Sequence, residues 1–175
     1  MGMGASAATR LVLVVGGALV LAGCGPAAAP PSPTPTPLPA ALLQERYLAA
    51  ATVYDSAERP IAEAENTYCP AEKPSAELAQ CEHALSADRL ATVAFDDAVR
   101  QLRFPSSAQS DVNRLLADDA QLAALLQQAS TAPSLTAVAA LTPQILTLLS
   151  ASAHDAATVR TAIGLPASSP SPSPS

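Results

Sequence analysis

The chain has no tryptophan, two phenylalanines and three tyrosines. A core made from it is rich in alanine, so helices can approach closely while each buried side chain contributes little area. A single lysine, Lys73, stands beside eight arginines, and nowhere do they cluster; fifteen acidic residues outnumber them and set a formal charge of −6. Neutralising phosphates takes grouped Lys and Arg, so the composition argues against a nucleic-acid binder and against electrostatic binding to anionic lipid. Of the two histidines, neither His83 nor His154 has a Glu three residues before it, which removes the paired Glu-x-x-His motif of a di-metal bundle site. A glycine-rich phosphate loop, a nucleophile motif and a zinc signature are also missing. The strand-like alternation of apolar and polar residues is missing as well. These absences leave no catalytic residue, no metal site and no cofactor to assign, and the chain reads as a non-enzyme.

What is present begins at the N-terminus. Arg10 is a short basic region ahead of an apolar run, Leu11 to Ala22, broken only by Gly16 and Gly17. The run is too short to make a comfortable permanent bilayer span. It ends in Leu21-Ala22-Gly23-Cys24, which resembles the lipobox of a bacterial lipoprotein precursor. The resemblance implies that residues 1–23 are a cleaved signal peptide, that Cys24 carries a thioether-linked diacylglycerol, and that the mature chain is anchored on the outer side of the cytoplasmic membrane. Without Arg10, nine basic residues become eight against fifteen acidic ones, and the formal charge of −6 becomes −7. The membrane contact expected is therefore the acyl chains on Cys24, and the protein partner expected is an unidentified component of the cell envelope. Both methionines, Met1 and Met3, fall within the signal, so the mature chain has no thioether for a soft copper site.

Residues 24–40 read as the lipidated cysteine and a spacer of Pro, Ala, Ser and Thr, with Pro33-Thr34-Pro35-Thr36-Pro37 at its heart. Such a run favours polyproline II, and at ~3.1 Å per residue it reaches up to roughly 50 Å from the membrane. Residues 166–175 are a similar Pro/Ser tail, and both tails are expected to be disordered. Cys69 and Cys81 are an even pair in an oxidising compartment and predict a disulfide. A metal site recruiting His83 beside Cys81 is disfavoured, because residues two apart on a helix diverge and the set falls one ligand short.

Residues 41–165 carry apolar positions at helical spacing and predict an all-α fold, an up-down-up-down antiparallel four-helix bundle. In the first helix, about 42–68, Leu43, Tyr47, Ala50, Tyr54, Ala57, Ile61, Ala64 and Tyr68 step by fours and threes, with a kink expected at Pro60. Ser75 is the expected N-cap of the second helix, and Ser106 with Gln109 reads as a capping box opening the third. Gly164 followed by Leu165-Pro166 predicts a left-handed stop to the fourth. Residues 129–153 carry no charge, yet their Ser, Thr, Gln and Pro content favours a bundle helix over a second membrane span. The i,i+4 pairs Asp55–Arg59, Asp96–Arg100 and Arg114–Asp118 read as solvated helix faces. Adjacent helical residues diverge by about 100°, so neither Asp96-Asp97 nor Asp118-Asp119 is a carboxylate dyad.

One constellation stands apart. Continuing the second helix's seam by fours and threes puts Asp88 and Thr92 between Leu85 and Phe95, and the third helix's seam puts Asp119 between Leu115 and Leu122. Counted from the turns, Asp88 and Asp119 lie at matching depth, with Tyr54 and Thr142 near the same level beside Pro60 and Pro143. This places a polar pocket for a small ligand or cation mid-bundle, with Asp88, Asp119, Tyr54 and Thr142 as its residues. The plainer alternative is a seam displaced by one residue, with both aspartates on the flank and paired to Arg89 or Arg114. The leading functional expectation is thus a membrane-anchored, non-enzymatic interaction module, and the alternative is a small-molecule or ion-binding lipoprotein.

Overall fold

Four α-helices account for most of residues 36–167, the part of the chain that the computed structural model describes. They are α1 (Ala40–Tyr68), α2 (Leu78–Arg100), α3 (Gln109–Ala129) and α4 (Leu135–Ala162). Single 3₁₀ turns at Ser75–Glu77 and Ser106–Ala108 lead into α2 and α3, and the described residues contain no strand. Consecutive helices pack against each other, α1 on α2, α2 on α3 and α3 on α4. Cys24 and most of both Pro-rich tails lie outside the described residues. Leu38, assigned to the spacer by sequence, already belongs to the domain: its N–H donates to the Arg103 carbonyl at 3.2 Å and its side chain packs on the core.

The helix ends differ from expectation in an instructive way. Neither Ser75 nor Ser106 caps with its side chain; in each case the 3₁₀ turn carries the chain into the helix. Gln109 forms no capping box and donates instead to the Phe104 carbonyl at 3.0 Å. Ser134 does cap, its hydroxyl accepting from the Ala137 N–H at 3.2 Å. At the far end of α4, Gly164 adopts φ +83°. The Leu165 N–H reaches back to the Arg160 carbonyl at 2.8 Å and the Gly164 N–H to Thr161 at 3.0 Å, the paired bonds of a Schellman stop.

The apolar core is divided in two. One half gathers Leu43 and Tyr47 of α1, Val99 of α2, Leu115 of α3 and Val159 of α4 around Phe104. The other gathers Leu85, Leu122, Leu126, Leu135 and Val138 beside the Cys69–Cys81 disulfide, whose Cα atoms are 4.9 Å apart. α1 and α4 meet through Gln44, which donates to the Ile163 carbonyl at 2.8 Å, and Tyr47, whose hydroxyl lies 3.4 Å from the Ala156 carbonyl. By length and composition α4 could cross a membrane, with mean hydropathy 1.4. Here it packs on α3 and carries Asp155 on its buried face.

Candidate functional site: a buried carboxylate layer

Between the two apolar halves the same seams carry polar residues. On α2 the buried positions run Cys81, Leu85, Asp88, Thr92, Asp96, Val99, and on α3 they run Val112, Leu115, Asp119, Leu122, Leu126. Three- and four-residue steps return to one helix face whatever the side chain is, so the aspartates are carried inward by the apolar residues on either side. Asp88 retains 1% of its accessible surface, Asp119 2%, Asp96 3% and Asp155 3%. The flank reading is thereby replaced: neither Asp88 nor Asp119 is on the surface, and among the described residues neither pairs with an arginine.

The acids meet one another. Glu58 of α1 faces Asp88 of α2, and Asp96 of α2 faces Asp119 of α3, each pair close enough for one hydrogen bond between carboxyls. Two carboxyls can share such a bond when one of them keeps its proton. Around these pairs, Thr92 donates to Asp88 over a long 3.5 Å and lies beside the Tyr54 hydroxyl. Ser152 of α4 lies beside Asp119. Arg100 reaches Asp96 at 2.9 Å, and Arg114 of α3 crosses to Asp155 of α4 at 2.7 Å. Four buried oxygens in this group have no hydrogen-bond partner: Glu58 Oε2, Glu65 Oε1, Asp96 Oδ1 and Asp155 Oδ2.

Desolvation dominates the electrostatics. Burial, then the Asp88 charge, pushes Glu58 up to about 7, and the same two causes push Glu65 up to about 8. Burial raises Asp96 to about 7, with Asp119 adding to it and Arg100 opposing. Burial also raises Asp88 to about 6, opposed by the bonds from Thr92 and Glu58. Asp119 is raised by burial, against the bonds from Ser152 and Asp96. Burial lifts the Tyr54 phenol well above its ordinary value, with Glu58 adding to the effect.

The sequence-derived pocket residues are thus brought together only in part. Asp88 and Tyr54 lie in one cluster with Glu58 and Thr92. Asp119 lies in a second with Asp96 and Ser152. Its partner on α2 is eight residues, about two turns, beyond Asp88, so the two aspartates do not share one depth. Thr142 is outside the layer: it is exposed and its hydroxyl donates to the Val138 carbonyl of its own helix at 3.3 Å. The matching depth holds only if α3 and α4 leave their turn at the same height. In fact Gln128, at the end of α3, faces Pro143 and Gln144 across a groove of about 610 Å³, so the first turns of α4 project past α3. The α4 residues at the layer are Ser152 and Asp155. Arg114 pairs with Asp111 and Asp155, not with Asp118.

Glu58, Glu65, Asp96 and Asp155 were missed from sequence. The signal for them was the same four-three continuation that marked Asp88: Tyr54, Glu58, Ile61, Glu65 and Tyr68 on α1, and Ser152, Asp155 and Val159 on α4. Ala57 and Ala64, each one position away and apolar, mask it. Both histidines are exposed, and no set of three acidic, His or Cys side chains among the described residues converges as a metal site. No protein-family model matches this chain, and no curated protein or solved structure matches it either.

Proposed function

We propose that this chain is a lipid-anchored extracytoplasmic lipoprotein whose helical domain acts as a non-enzymatic interaction module in the cell envelope. The observation that carries the reading is the Leu21-Ala22-Gly23-Cys24 ending of a short apolar run. The Cys69–Cys81 disulfide supports it, because such bonds persist in oxidising compartments. The domain is an up-down-up-down antiparallel bundle in this reading. Supporting it, Cys69, just after α1, with Cys81, Glu58 with Asp88, Tyr54 with Phe95, and Tyr47 with Phe104, just beyond α2, run in opposite directions along the two helices. Arg114 with Asp155 and Asp119 with Ser152 do so along α3 and α4. A diacylglycerol supplies the two chains that stable anchoring needs. Expressed in a bacterial host that lipidates exported proteins, the wild-type protein should lose residues 1–23, gain the mass of a diacylglycerol and partition into the detergent phase, and Cys24→Ser should keep residues 1–23 and carry no lipid. Normal maturation of that variant would refute the anchor.

A second reading, an ion- or small-molecule-binding lipoprotein, is favoured by the orphaned oxygens of Glu65 and Asp155. It ranks below the first because the acids close on one another in pairs. A melting temperature unmoved by added cations at neutral pH would remove it.

A further inference from the structure

We propose that the buried carboxylate layer is a proton-binding site that couples the cohesion of the helices to external pH, holding them together when its acid pairs share protons and driving them apart when both members ionise. Burial and the shortage of partners favour protons there. Four of its six carboxyls, those of Glu58, Glu65, Asp88 and Asp119, have no arginine within ion-pair distance among the described residues. Glu58 Oε2 and Asp96 Oδ1, members of the two acid–acid pairs, find no protein donor at all. Two desolvated carboxylates pressed together carry a repulsion that nothing nearby offsets; a proton between them turns it into a hydrogen bond.

The groups facing the layer all work in one direction except two. From α1 come Glu58, Glu65 and the Tyr54 phenol, with Asp55 adding negative charge near Glu58. From α2 come Asp88 and Asp96, the latter bridged to Arg100 through one oxygen. From α3 comes Asp119, with Asp118 adding repulsion, and from α4 comes Asp155, held by Arg114. The two arginines are half-exposed at the edge and leave the Glu58–Asp88 pair and Glu65 uncompensated.

The sign of the pH dependence follows. In the unfolded chain these carboxyls titrate near 4. In the native protein burial raises Asp88 to about 6, Glu58 and Asp96 to about 7 and Glu65 to about 8. Between about pH 4 and 8 the native state therefore binds more protons than the unfolded state, and stability falls as pH rises through this window, levelling off above it. This is opposite to the usual acid denaturation. The strain concentrates on α1, whose fully buried residues, Leu43 and Tyr47, are both near its start and whose end is tied by the disulfide. Ionisation lifts the middle of α1 from α2 while both ends stay attached.

The test is thermal unfolding of the purified, disulfide-intact protein between pH 5.5 and 8.5. The melting temperature should drop by more than about 5 °C across that range, and amide exchange over residues 50–65 should speed up with it. The double variant Glu58→Gln/Asp96→Asn puts an amide N–H where each shared proton sat, and should at least halve the drop. A wild-type melting temperature that is flat or rises with pH overturns the proposal, as does an undiminished drop in the double variant. If the double variant has lost its helix content at pH 5.5, Glu65→Gln alone serves in its place: a smaller drop than wild type supports the proposal and an equal one overturns it.

Discussion

Arg114 shows what a single side chain does in this protein. Its guanidinium lies at the edge of the domain, half-exposed, yet it answers the charge of an aspartate from another helix that is almost wholly buried. Removing one partner of such a pair costs more than removing both, because the survivor is left buried and unpaired. Arg114→Met should therefore lower the melting temperature more than Asp155→Asn does, and the double variant should recover most of the loss. Equal or additive losses across the three proteins would mean that the bridge carries no coupling. At this scale the sequence was readable where a seam could be followed through a polar residue, as it could for Asp88, Thr92 and Asp119. It was misread wherever an alanine offered an apolar alternative one position away, as at Ala57 beside Glu58. The acid–acid partnerships themselves were not legible, because ordinary charge reasoning pairs acids with bases and sends Arg114 to Asp118, its neighbour on the same helix.

At the scale of elements, the four helices and their stops follow from local chemistry. Pro105, Pro133 and Pro166 sit just outside helices, Gly164 takes the left-handed position, and the seams step by fours and threes. The starts were less legible. A serine before an acidic or amide residue signals a cap, but a 3₁₀ turn can satisfy the same backbone groups without the side chain, and α2 and α3 both begin that way. The register of α4 was not legible, since it is set by how Leu135 and Val138 seat beside Cys81 and Leu126, a contact between residues distant in the chain. That end depends on the staple. Cys69 and Cys81 are twelve residues apart, and closing a loop of that size stabilises a fold by ~3 kcal/mol in the chain-entropy model. Reduction at pH 5.5 should lower the melting temperature clearly, and Cys69→Ser/Cys81→Ser should match the reduced protein. A disulfide-free variant that melts with the oxidised wild type would show that the packing of Leu85, Leu126 and Val138 suffices alone.

Taken whole, the molecule is unevenly knit. α3 is the centre: it packs on both α2 and α4, and its buried positions run the full length of the helix from Val112 to Ala129. α1 is the periphery. It packs along α2, touches α4 through Gln44 and Tyr47 near its start, and over its remaining length presents half-buried alanines, Ile61 and the two glutamates of the acid layer. Local opening follows the number of buried apolar contacts that must break, so the helices should not exchange as one unit. Native-state amide exchange at pH 5.5 should find the strongest protection in α3 and the facing turns of α2, around Leu115, Leu122 and Val99. It should be weaker by one or more orders of magnitude in α1 between Tyr47 and the disulfide, even though α1 is the longest helix, with 29 residues. The two apolar halves flanking the layer make the contrast sharper, because the section of α1 between them faces α2 mainly through half-buried glutamates and Tyr54 against Phe95. Uniform protection across α1 and α3 would show that the domain opens only as a whole, and that α1 is anchored by more than its two ends.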